Sequence, residues 1–104
     1  MKRSVFNYCF ITLLSIISYG CLSQYINKNI REGNIIVNKI EKYKDIHGTL
    51  PDKLQDVGQS DFVGDVLFCY EKESDTTYVV WFGTTLGEGM YYYSDTKRWT
   101  DQLH

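Results

Sequence analysis

Three cysteines, two histidines and thirteen carboxylates are the side chains of this chain most able to bind a metal, attack an electrophile or move a proton. Cys9, Cys21 and Cys69 stand far apart, and the histidines are His47 and the carboxy-terminal His104. No Cys/His spacing of a zinc site arises from them, and no cysteine is placed beside a histidine as nucleophile and base. No G-x-S-x-G stretch is present to seat a serine nucleophile. His47 falls in the last turn of an amphipathic segment, where a cation is favoured beside the free carbonyl ends, so a capping role is expected of it. Ten of the carboxylates lie between Gly48 and His104, which supplies acidic pairs by chance rather than by design. Gly83, Gly87 and Gly89 do not precede a helix, so a phosphate cradle is not expected. The expectation is a chain with no catalytic residue, no metal and no cofactor. What is left is covalent modification of one cysteine and recognition through aromatic side chains.

The cysteine is Cys21. Lys2 and Arg3 open the chain with positive charge, and Val5 to Tyr19 is mostly apolar and uncharged, the layout of a secretory signal. The stretch Ile17-Ser18-Tyr19-Gly20-Cys21 resembles the box at which bacterial lipoproteins are cut and acylated, with Ser18 where a leucine is usual. Residues 1–20 are therefore expected to be a signal peptide. Residues 21–104 would form one domain, lipid-anchored at Cys21 on the periplasmic side of a bacterial membrane. Two other readings stand beside this one. Cleavage near Gly20 without acylation would leave Cys21 free, and an oxidising compartment would then permit a Cys21–Cys69 disulfide. Retention of the leader would leave Ser4 to Asn27, uncharged and long enough at helical rise to span a bilayer. With Cys21 acylated, Cys69 is read as a small buried apolar residue on a strand.

The chain of 104 residues allows one small domain. Loss of Lys2 and Arg3 with the leader leaves nine basic against thirteen acidic residues, a net charge of −4. Gln24 to His47 carries five basic and three acidic residues, and Gly48 to His104 four and ten. A mildly basic helix suits an anionic bilayer surface, and the acidic remainder argues against nucleic acid as a partner.

The element that must organise the domain runs from Ile26 to Leu54. Ile26, Ile30, Gly33, Val37, Ile40 and Tyr43 recur at steps of three or four, one stripe of an amphipathic helix. Gly48 and Pro51 mark its stop twice, and Leu50 and Leu54 are expected to anchor the corner that follows. Pro51 to Val57 is expected to form one short helical turn ended by Gly58, and Gln59 to Asp65 a loop with Phe62 and Val63 plugged beneath it.

Three strand candidates follow: Val66 to Glu71, Thr77 to Phe82 and Met90 to Ser94. Short connections make antiparallel pairing the default. The expected fold is α+β, a long amino-terminal helix packed on a three-stranded antiparallel meander. Alternation gives that meander two apolar faces, of which one helix covers one. The expectation places Val80, Phe82, Tyr91 and Tyr93 under the helix, and Trp81 with Tyr92 at the centre of the uncovered face as a partner-binding pair.

The run Tyr43-Lys44-Asp45-Ile46-His47-Gly48-Thr49-Leu50-Pro51-Asp52-Lys53-Leu54 resembles the Y-x4-G-x-(Y/L)-P-x-x-L corner of the type II secretion pseudopilins. Their closing sheet segment is similar to Met90 to Trp99. The resemblance implies a pilin-like fold over roughly Gln24 to Trp99. It does not extend to the prepilin-peptidase site, a glycine before a phenylalanine, which is missing around Gly20. Nor does it extend to the calcium loop of the major pseudopilins, since Asp95 and Asp101 are too few and too separated to be ligands. The expected function is that of a non-enzymatic cell-envelope lipoprotein whose domain binds another envelope protein. A periplasmic immunity or inhibitor protein against an envelope-targeting toxin is the alternative, and an uncleaved single-span pilin-like protein another. No nucleic acid and no small-molecule cofactor are expected as partners.

Overall fold

The computed structural model describes residues 2–103, with side chains described from Gly20 to Leu103. The leader reading falls on residues whose side chains lie outside the described ones. Among the described residues, no helix is long and apolar enough to cross a membrane. A single helix, α1 (Lys2–His47), leads through a corner and one 3-10 turn (Leu54–Val57) into five strands. These are β1 (Phe62–Val63), β2 (Val66–Lys72), β3 (Tyr78–Gly83), β4 (Gly89–Tyr93) and β5 (Arg98–Thr100). All neighbours pair antiparallel in the order β1-β2-β3-β4-β5.

The α+β class stands, but the three-stranded meander is corrected to a five-stranded sheet. The two added strands are the short edges. Gly64, at φ 62°, turns the chain between Val63 and Val66, so the supposed loop is a short strand in which Phe62 and Val63 pair with Leu67 and Val66. Val63 is half-buried against the core, as expected of a plug. Phe62 is 57% exposed, an edge residue rather than a plug. At the other edge Lys97, at φ 58°, reverses the chain so that Trp99 pairs opposite Tyr92. Strands of two and three residues lack the alternating run by which a strand is recognised in sequence.

The helix stripe is as expected, and two further residues join it. Gly33, Val37 and Ile40 are buried, Ile26, Ile30 and Tyr43 are half-buried, and Ile36 and Asn29 are buried beside them. Asn29 satisfies its amide inside the helix by donating Nδ2 to the Tyr25 carbonyl at 3.0 Å. Opposite this stripe lie Phe68, Tyr78, Val80, Phe82 and Tyr92, all buried. Gly33 leaves a notch into which the Trp99 ring fits: a β-carbon there would lie 2.5 Å from two atoms of the indole. Trp99 also donates its Nε1–H to Asn34 Oδ1 at 2.8 Å and packs on Phe82 and Tyr92.

The corner forms as its residues dictate. Gly48 takes φ 75° and donates its N–H to the Lys44 carbonyl at 2.8 Å, closing the helix in the left-handed form that glycine tolerates best. Leu50, Pro51 and Leu54 are buried. Asp56 Oδ2 accepts from the backbone N–H groups of Asp52 and Lys53 and so fixes the 3-10 turn, which Gly58 ends at φ 73°. The Tyr70 hydroxyl donates to the Pro51 carbonyl at 2.6 Å, fastening the corner to β2.

Candidate functional site: the outer face of the sheet

Which residues share a face depends on the parity of the turns. Along each strand, alternation holds as expected. Across strands, however, Thr84 to Glu88 gives five residues between β3 and β4, and the register pairs Val80 with Tyr92 and Trp81 with Tyr91. Directly opposed residues point to the same side of a sheet. Tyr92 therefore lies under the helix, 8% exposed, and Trp81 lies on the other face. The expected pair Trp81 and Tyr92 is not brought together; Tyr91 and Tyr93 take the place of Tyr92. A one-residue change of turn length reverses this assignment, and side-chain pattern within strands carries no record of it.

The outer face presents Cys69, Trp81 and Tyr91 as a row across three strands. Trp81 and Tyr91 stack with ring centroids 6.3 Å apart at 28°, and Tyr91 and Tyr93 at the same separation and 20°. Trp81 and Tyr91 are half-buried, whereas Tyr93 and Val79 are buried at the far end of the face. Next to the row, Gly83 pairs with Gly89, so no side chain stands there. The Tyr91 ring folds over Gly89, 3.4–3.5 Å from where a β-carbon would sit. The paired glycines help to open a shallow cavity of about 400 Å³ beside Leu67, Cys69, Trp81 and Tyr91, with Asp65 and Glu88 on its rim. Leu67, on the same face, is also exposed.

Two thiols are described and both are free, so the disulfide alternative between Cys21 and Cys69 is not formed. Cys21 is exposed on α1. Burial, and then the Asp61 carboxylate, push the Cys69 thiol above its ordinary value, which suppresses the nucleophilic thiolate. His47 packs tilted against Tyr43, with centroids 4.2 Å apart at 35°, in the last turn of α1. Among the described residues, no three His, Cys, Asp or Glu side chains gather as a metal-ligand set. The arrangement on the outer face is suited to packing against another apolar surface. Compared with protein-family models, curated proteins and solved structures, the chain finds no match in any of the three.

Proposed function

We propose that this chain is a non-enzymatic interaction domain of the bacterial cell envelope, held at the periplasmic side of a membrane by its amino-terminal segment, with Cys21 as the acylated residue. The likeness of Tyr43 to Leu54 to the pseudopilin corner supports this reading at the level of fold. The observation that carries it is the outer sheet face, where Trp81, Tyr91 and Leu67 line a cavity that Tyr25 of α1 also borders. Rigid aromatic side chains on a strand lose little entropy on binding and are enriched among interface hot spots. The rim carboxylates Asp65 and Glu88 select a partner that offers an apolar residue flanked by Lys or Arg.

The test is photo-crosslinking in the native cell with a benzophenone amino acid at position 81. One protein adduct of constant mass, lost on Tyr91→Ser, supports the reading. Absence of any protein adduct from a chain that is present and folded overturns it. The anchor is tested separately by the mass of the processed amino terminus: a chain beginning at an acylated Cys21 is expected, and an intact chain from Met1 overturns that part.

A further inference from the structure

The two ends of the sheet differ in chemistry. At one end the β2–β3 turn, Glu73 to Thr77, is polar throughout, and Ser74 Oγ accepts the N–H groups of Thr76 and Thr77. At the other end the β3–β4 turn carries Leu86 at its tip, fully exposed to solvent. This turn is built to hold its shape. Glu88 N–H donates to the Thr85 carbonyl at 3.0 Å, Thr84 N–H to the Glu88 carbonyl at 3.1 Å, and Thr85 Oγ1 to Glu88 Oε2 at 3.0 Å, with Gly87 at φ 74°. A leucine held out on a preformed turn exposes apolar surface without any gain in packing.

The same end meets the stretch of α1 that follows Cys21. Leu22 and Ile26 of α1, Thr84, Thr85 and Glu88 of the turn, and Gln102 of the tail line one cavity of about 350 Å³. The Tyr25 hydroxyl donates to the Gly83 carbonyl at 3.2 Å and ties the helix to the turn. Leu22 is exposed here as well, and Cys21 adjoins it in sequence. The acylated Cys21 proposed above thus adjoins the end of the domain where Leu22 and Leu86 stand free.

We propose that this end of the domain rests on the surface of a lipid bilayer, with Leu86 reaching into the boundary between headgroups and acyl chains. The inference rests on the membrane attachment proposed above and adds a second, non-covalent contact to it. Interfacial contacts of this kind draw on buried apolar area and on headgroup charge. Glu88 and Asp101 are the charged groups that line the cavity of this end, and both are acidic. The fitting surface is therefore rich in zwitterionic, ammonium-bearing phosphatidylethanolamine rather than in anionic lipid.

The test uses the full chain made in a bacterium, with a diazirine amino acid at position 86 or, as a control, at position 75 in the polar turn. Membranes are irradiated, and the peptides are weighed for phospholipid adducts. Adducts of phosphatidylethanolamine at position 86 and none at position 75 are expected, unchanged by high salt. A chain that pellets with membranes but gives no lipid adduct at position 86 overturns this inference and leaves the attachment standing. A chain found only in the soluble fraction overturns both.

Discussion

The hydroxyl of Tyr70 and the carbonyl of Pro51 lie 2.6 Å apart, one hydrogen bond between the second strand and the corner that ends the helix. Tyr78 stands beside Tyr70 with ring centroids 5.8 Å apart, and its buried hydroxyl has no partner among the described residues. Removing the two hydroxyls should have opposite consequences. Tyr70→Phe should cost about 0.5–1.5 kcal/mol, the net value of a typical hydrogen bond. Tyr78→Phe should be neutral or stabilising, because it deletes a buried polar atom that nothing satisfies. Urea denaturation of the two variants checks the contrast.

Alkaline pH should unfold the domain through the same tyrosines. Burial, then Asp52 and Asp56, push Tyr70 up from its ordinary value near 10 to about 12. Burial and then Glu41 raise Tyr78 and Tyr92 as well. The folded state thus holds protons that the unfolded chain gives up first. The resulting stability is fully present below about pH 10 and is lost as pH rises towards 12. The urea midpoint should fall across that window, and less steeply in Tyr70→Phe.

Gly33→Ala should destabilise the domain by about 1–3 kcal/mol, because the added methyl meets the Trp99 ring. In a Trp99→Ala background the obstacle is gone and the helix preference for alanine is left, worth up to about 1 kcal/mol. The same substitution should then be stabilising. A double-mutant cycle by chemical denaturation reads the change of sign.

At the corner, Gly48→Ala should cost about 1 kcal/mol through its positive φ alone, since nothing lies within 4 Å of the added carbon. Leu54→Ala, at a fully buried position, should cost about 2–5 kcal/mol. Thermal melts in which both variants match the parent would refute this account of the corner.

On the sheet, Tyr92→Ala should cost about 3–5 kcal/mol as a core truncation. Trp81→Ala should cost less than half of that and should leave the near-ultraviolet spectrum of the core in place. Equal losses would mean that the outer face is covered in solution.

Much of this architecture is legible in the residues. The stripe from Ile26 to Tyr43, the stop at Gly48 and the buried Leu50 and Leu54 follow from helical period and from turn chemistry. The three longer strands likewise follow from runs of aromatic and β-branched residues. The relation between strands is not legible in this way. Trp81 and Tyr92 each alternate correctly within their own strand, yet they face opposite sides because a five-residue turn sets the phase between them. The edge strands escape for a different reason: Phe62–Val63 and Arg98–Thr100 are held by Gly64, by a positive φ at Lys97 and by the Gly33 notch, not by any pattern of their own. The phase set by that turn is why Trp81 belongs to the candidate site and Tyr92 does not.

The seat of Trp99 against Gly33 and Asn34 also fixes the order in which the domain can be finished. The helix precedes β5 along the chain, so the notch leaves the ribosome before the ring that fills it. The separation of 65 residues between Asn34 and Trp99 is closed only once β5 has been made. Until then Gly33 and Asn34 lack the indole that they hold in the finished domain.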